Sequence, residues 1–190
     1  MFDLGGVLVE NELFDELAKL IPRDIEEEAL KNLWLRSQTV RAFELGMCSP
    51  DEFATAMVDE FELSCEPQEF IVAFTGWPKG FYNGVELLLQ TLRSQHLTAC
   101  LSNSNELHWT TKVTDHFDRA YSSHLLRRIK PDAEVFQYVT QDIGCAASDI
   151  VFFDDSRLNI DAARSFGWRA HLTVGHGALI DALRDEGLTT

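Results

Sequence analysis

Residues 149–174 read "DIVFFDDSRLNIDAARSFGWRAHLTV". The run from Ile150 to Phe153 is apolar without interruption and ends in two acids, Asp154 and Asp155. Such a run suits a strand buried on both faces. Residues 157–167 then follow a helical pattern and stop at Gly167, and 169–174 form a second strand pattern. A strand, a helix and a strand in direct succession predict neighbouring parallel strands joined by a helical crossover.

The same alternation extends outward. "GALIDALRDEG" (177–187) predicts a last helix. Upstream, "NGVELLLQTLRSQ" (83–95) predicts a helix and "LTACLSN" (97–103) a buried strand. "NELHWTTKVTDHF" (105–117) predicts a helix, "RAYSS" (119–123) a short strand, and "PDAEVFQYVTQDIG" (131–144) a helix opened by proline. At the N-terminus, "MFDLGGVLVE" is a strand tip followed by a glycine turn. The fold class is therefore α/β, a Rossmann-like parallel sheet with helices on both faces.

Between the first and second strands lies a long block of helical patterning. "NELFDELAKLI" (11–21) places Leu13, Phe14, Leu17 and Leu20 at helical spacing. "IEEEALKNLWLRSQTVRAFELG" (25–46) continues in one register to Gly46. "SPDEFATAMVDEFEL" (49–63) opens with Ser49, Pro50 and Glu52, the pattern of a capped helix start. "EPQEFIVAFTGW" (66–77) is one more short helix before Pro78 and Gly80 break the pattern. The block is too long for a crossover and carries its own apolar stripes. It predicts an all-helical insert at 11–77 set on a core made of 1–10 and 78–190.

The formal net charge of -15 argues against a nucleic-acid backbone partner and against an anionic membrane surface. No stretch approaches the ~18 apolar residues of a membrane span. Cys48, Cys65, Cys100 and Cys145 show neither CxxC pairing nor zinc spacing, and are expected to be free thiols in a reducing cytoplasm. An acidic total still admits a small phosphorylated ligand, because one lysine and a metal ion outweigh the global field locally.

In an open parallel sheet, ligands bind at the carboxyl ends of the strands. Asp3 ends the first strand, Ser102 and Asn103 the second, and Asp154 and Asp155 the fourth. Lys130 lies in the loop before the "PDAEVF" helix. Each alone has an ordinary reading: a turn acid, a surface cation, a helix cap. Together they are a parts list for metal-assisted phosphoryl transfer to a carboxylate. Asp3 would attack phosphorus, magnesium would bridge carboxylates and phosphate, and Lys130 would neutralise the transferring charge.

"FDLGGVLVE", "LSNSN", "RIKPDAEVF" and "FFDDSRLNIDAARSFGW" resemble the four ordered motifs of the haloacid dehalogenase superfamily. The helical block resembles the first-position (C1) cap of its subfamily I. The likeness extends to the glucose-1-phosphate phosphatase-like branch. By that resemblance Asp3 is the nucleophile and Lys130 the charge stabiliser. Gly6, Ser102 and Asn103, with Lys130, hold the phosphate. Asp3, the carbonyl of Gly5 and Asp155 ligate Mg2+, with Asp154 a second ligand or a partner through water. Asn159 braces the fourth motif.

The same resemblance makes Gly5 conspicuous. Most phosphatases of the superfamily carry an acid–base Asp two residues after the nucleophile, a group worth about 10²–10⁴-fold. Gly5 keeps the carbonyl and lacks the carboxyl. Glu10, Glu12, His108 or a water are the candidate substitutes. The expected function is a magnesium-dependent phosphatase of a small phosphorylated metabolite, a sugar phosphate in chemistry, through an aspartyl-phosphate on Asp3. The alternatives are a metal-independent 2-haloacid dehalogenase, which the pair Asp154–Asp155 opposes, and a catalytically weak phosphate-binding module, which Gly5 favours. Only Met1 and Phe2 precede Asp3, shorter than a usual central strand, so the natural chain is expected to begin several apolar residues earlier.

Overall fold

The structure, a computed structural model, describes residues 1–189. After the N-terminal segment, β1 (Val9–Asn11) leads into α1 (Leu13–Leu20), α2 (Glu27–Arg36), α3 (Gln38–Glu44), α4 (Pro50–Phe61) and α5 (Pro67–Thr75). β2 (Pro78–Phe81) returns to β1, and α6 (Val85–Arg93), β3 (Ala99–Ser102), α7 (Thr111–Thr114) and β4 (Arg119–Ser122) follow. α8 (Ser123–Leu126), α9 (Ala133–Ile143), β5 (Val151–Asp154), α10 (Arg157–Phe166), β6 (Arg169–Leu172) and α11 (Gly175–Asp185) complete the chain.

β3 pairs parallel with β4, and β5 parallel with β6. Phe2 bridges both pairs in parallel, through Cys100 of β3 and Phe153 of β5. The sheet order is therefore β4, β3, N-terminal segment, β5, β6. Ladder bonds run from Phe2 N–H to Ala99 O (2.9 Å), from Leu101 N–H to Phe2 O (2.8 Å) and from Asp3 N–H to Phe153 O (2.8 Å). The pleat sends neighbouring side chains to opposite faces. Cys100 and Phe153 join one core with Leu89 of α6 and Leu179 of α11. Leu101 and Phe152 join another with Phe136 of α9 and Ile160 of α10.

The helices α1–α5 bury a cluster of their own. Leu17, Trp34, Phe43, Phe53, Met57, Phe70, Phe74 and Trp77 all belong to it. Phe43 and Phe53 stack at a centroid distance of 4.1 Å. Ser49 caps α4: its hydroxyl accepts from Glu52 N–H, and Glu52 Oε2 accepts from Ser49 N–H at 2.8 Å. That reciprocal pair satisfies two otherwise free donors.

Three local expectations are corrected. The register at 25–46 is not one helix, because Ser37 is extended (ψ 123°) and its hydroxyl accepts from Val40 N–H at 3.1 Å. A serine offering that cap competes with helix continuation and starts α3 anew. The pattern at 105–117 yields one helical turn, α7. Asn105 Oδ1 caps the backbone N–H groups of Leu107 and His108, and Thr110 is extended. The β-branched pair Thr110–Thr111 offers little to resist that break. Finally, Pro78 and Gly80 lie in a strand: β2 pairs antiparallel with β1, Val9 opposite Phe81. This ribbon joins the two ends of the helical block. Proline is tolerated there because the ribbon has free edges.

Candidate active site

Lys130 is the centre of the arrangement. Its Nζ lies 2.9 Å from Asp3 Oδ1 and 2.7 Å from Asp154 Oδ2, and donates to Leu101 O at 2.9 Å. An ammonium has three donors, and all three are used. The side chain is 1% exposed. Burial alone would drive its proton off, but the two carboxylates override burial and hold Lys130 well above the usual lysine range.

Backbone placement explains why the lysine arrives there. Asn103, at the end of β3, donates through Nδ2 to Lys130 O at 3.0 Å, and its Oδ1 accepts from Lys130 N–H at 3.0 Å. This two-point clasp fixes the loop before α9. The Asn103 amide is thus spent on Lys130. Ser102 Oγ is buried and makes only a long contact to Asn103 O (3.5 Å), so its hydroxyl remains available at the strand end. Ser123 Oγ accepts from Ser104 N–H at 3.0 Å and pins the loop after β3. The sequence reading did not single out Ser123 or Ser104.

Asp3, Asp154 and Asp155 each offer a carboxylate oxygen within 4.8 Å of the others. Asp154 is fully buried and heavily bonded. Its Oδ1 accepts from Ser156 N–H (2.8 Å) and Asn159 Nδ2 (3.0 Å), and its Oδ2 accepts from Lys130. Asp155 is the open member of the trio, though its carboxyl lies against Gly6. A Cβ on Gly6 would stand 2.4 Å from Asp155 Oδ2, and Gly6 has φ +71°. Only glycine serves at this turn. The Gly6 N–H donates to Val9 O (3.0 Å). Gly6 therefore contributes close approach, and its amide is not free for the phosphate contact first assigned to it.

Burial raises the Asp3 carboxyl above its ordinary value; Lys130 opposes the rise and Asp154 adds to it. Asp155 is pushed up to about 7 by desolvation and by the charges of Asp3 and Asp154. Three crowded carboxylates face one ammonium. Hard divalent cations are bound by carboxylate and carbonyl oxygens of this kind, so the donor set fits a magnesium ion. The motif order, the strand-end placement and this donor set now stand together, and the comparisons agree. The profile of haloacid dehalogenase-like hydrolases matches residues 1–167.

The chain belongs to the haloacid dehalogenase-like hydrolase family. Among its relatives in that family is a D-ribitol-5-phosphate phosphatase of Bacteroides thetaiotaomicron, 26% identical over an aligned length of 211 positions, gaps included, which covers 92% of this chain and 96% of the relative. A sesquiterpene phosphatase of Aspergillus oryzae is 27% identical, over 91% of this chain and 88% of its own. A haloacid dehalogenase family enzyme from Bacteroides thetaiotaomicron, solved with magnesium and inorganic phosphate, has the same fold (TM-score 0.71, 23% identity, 90% of this chain and 91% of that one). Among the described residues no helix is long and apolar enough to cross a membrane.

Of the residues singled out from sequence, Asp3, Lys130, Asp154, Asp155 and Asn159 form one bonded or touching group, with Gly5, Gly6, Ser102 and Asn103 around it. His108 stands apart, its Nε2–H donating to Phe74 O at 2.7 Å. Glu44, on α3, was missed. Lys130 and Asp3 both act electrostatically on its carboxyl. Nothing in the local pattern "AFELG" distinguishes it from a solvated helix-end acid.

Proposed function

We propose that this hydrolase is a magnesium-dependent phosphatase of a small phosphorylated metabolite, a sugar or sugar-alcohol phosphate, acting through an aspartyl-phosphate on Asp3. The observation that carries the reading is the Lys130 ammonium clamped between Asp3 and Asp154 beside the open carboxyl of Asp155. The relative of similar length that hydrolyses D-ribitol-5-phosphate supports the substrate class. The four free thiols suit a cytoplasmic setting. Residues 11–77 act as a helical cap over a core formed by 1–10 and 78–190.

Asp3, Asp155 and the carbonyl of Gly5 would hold the ion, with Asp154 behind them. When bound, magnesium cancels the repulsion between the carboxylates and the phosphate and polarises the phosphoryl oxygens. Asp3 Oδ attacks phosphorus as the ester oxygen departs. Lys130 holds the nucleophile in place and spreads positive charge over the equatorial oxygens. Ser102 Oγ donates to one of those oxygens. Asn159 and Ser156 N–H fix Asp154, so the lysine cannot drift.

A phosphate-release screen over sugar, sugar-alcohol and nucleotide phosphates, with and without magnesium, tests the reading. Asp3→Asn is expected to abolish release. Release that persists in Asp3→Asn, or that is insensitive to chelation, would refute it. A second reading, a catalytically weak phosphate-binding module, rests on Gly5. It requires no release in that screen together with phosphate-ester binding in calorimetry.

A further inference from the structure

The geometry points to Glu44, on α3, as the group that protonates the leaving oxygen and later deprotonates the attacking water, in place of the side chain that Gly5 lacks. This inference rests on the phosphatase reading and names a catalytic residue for it.

Of the side chains that stood as candidates in sequence, one faces solvent and two are engaged by partners. Glu10 is exposed on β1. Glu12 pairs with Lys79 at 3.0 Å on the surface. His108 has both ring nitrogens in use: Nε2–H donates to Phe74 O, and Nδ1 faces Asn105 Nδ2 at 3.4 Å. No ring nitrogen remains to shuttle a proton.

Glu44 differs in placement and in partners. The C-terminal end of α3 is docked on the core rim at two points that flank it. Arg41, one turn earlier, pairs with Asp132, two residues beyond Lys130. Gly46, two residues later, lies so close to α8 that a Cβ there would stand 2.7 Å from His124 O. Between these fixed points Glu44 is partly buried, and among the described residues its carboxyl has no hydrogen bond or ion pair. The charged groups that act on it are Lys130, Asp3 and Arg41. It is therefore an unpaired carboxyl on a helix end docked at the core rim, one turn from the Arg41–Asp132 contact and close enough to Lys130 and Asp3 to feel their charges. Burial pushes it up to about 7, with Lys130 opposing and Asp3 assisting. A general acid works best with a pKa near the operating pH.

The chemistry balances without a further reagent. In the first half, the Asp3 oxygen–phosphorus bond forms and the phosphorus–ester oxygen bond breaks. The departing oxygen takes the Glu44 proton and leaves as an alcohol. In the second half, Glu44 carboxylate accepts a proton from water as that water attacks the aspartyl-phosphate. The Asp3 acyl-phosphate bond breaks, inorganic phosphate leaves, and Glu44 is again protonated. The leaving group exits opposite Asp3, so one carboxyl on that side serves both halves.

The test uses the full chain with magnesium, one alkyl phosphate and one activated aryl phosphate. Glu44→Gln keeps the shape and removes the proton. It is expected to lower kcat on the alkyl ester by about 10²-fold or more, and on the aryl ester by less than tenfold, because the aryl oxide leaves without a proton. Adding Gly5→Asp to Glu44→Gln should restore at least tenfold on the alkyl ester. Gly5 is not among the glycines with positive φ, and a Cβ there would meet only Asn11 Nδ2 at 3.4 Å. An equal change on both esters, no change on either, or no rescue by Gly5→Asp overturns the assignment. Gly5→Asp alone is the second probe: a gain of 10²-fold or more on the alkyl ester would mean that no proton donor was present, and would also overturn it. If the unaltered protein releases phosphate from neither ester nor from any compound of the screen, the phosphatase reading itself fails and this assignment fails with it.

Discussion

Replacing Lys130 by methionine removes a charge and keeps most of the volume. The Lys130 ammonium sits 2.9 Å from Asp3 and 2.7 Å from Asp154, with its side chain 1% exposed and that of Asp154 0% exposed. At an effective dielectric of about 20, each contact is worth roughly 6 kcal/mol of gross attraction. Most of that offsets the cost of burying three ions. Removing one partner of a buried pair leaves the other uncompensated, and costs about 3–5 kcal/mol. Taking about 4 kcal/mol, a chain of this size should lose roughly 8–16 °C in Tm. The penalty should depend on pH. Burial already raises the Asp3 carboxyl and Lys130 opposes that rise, so without the ammonium the folded-state pKa of Asp3 climbs further above its unfolded value. The folded variant then binds more protons than the unfolded one, so its stability increases as pH falls through that interval. Urea unfolding in chelator at pH 8 and pH 5.5 measures both effects. A loss below about 1 kcal/mol at pH 8, or a loss independent of pH, would show that the ammonium does not compensate the two acids and would refute the reasoning.

Gly6→Ala places a methyl group against Asp155 in a left-handed backbone, and should cost about 1–3 kcal/mol and weaken magnesium binding in calorimetry; unchanged affinity would count against the close approach. Arg41→Ala breaks an ion pair whose side chains are 38% and 46% exposed, so thermal unfolding should shift by less than about 1 kcal/mol; a larger loss would mean the pair is shielded from solvent. Burial lowers the His108 pKa, so the unfolded chain takes up a proton below pH ~6.5 that the folded chain refuses. Stability from this group is present above that pH and lost as pH falls toward the folded value. His108→Gln should therefore shrink the difference in unfolding free energy between pH 7.5 and pH 5. An unchanged difference contradicts the assignment.

Much of the architecture follows from short-range rules. The apolar run ending at Asp154, the stop at Gly167 and the box at Ser49 and Glu52 each act over a few residues. Local sterics and capping decide them wherever the segment sits. The strand-end position of Asp3, Ser102 and Asp154 follows from the same pattern, because a parallel sheet brings its carboxyl ends to one rim. The local errors have the same character. Ser37 reads as a helix-interior residue, although its hydroxyl caps Val40 N–H. The 105–117 pattern reads as a full helix that Asn105 and the Thr110–Thr111 pair curtail.

Tertiary structure alone decided the pairings across long separations. The β1–β2 ribbon depends on both ends of a helical block meeting, so Pro78 and Gly80 read only as breakers until Val9 stands opposite Phe81. Asn103 reads as a loop residue until its amide clasps Lys130, 27 positions away. Glu44 reads as a surface acid until Arg41, one turn before it, is seen to meet Asp132, 91 positions on, which sets that helix end beside the Lys130 loop. Periodicity shows which face of an element is apolar, and hence which layer it enters. It carries no information on which polar side chain of another layer lies opposite, because that depends on sheet order and helix docking. The sequence by itself thus determined the layers and the row of acids at the rim. The folded chain decided where the ammonium sits among them and which helix end of the insert docks beside that rim.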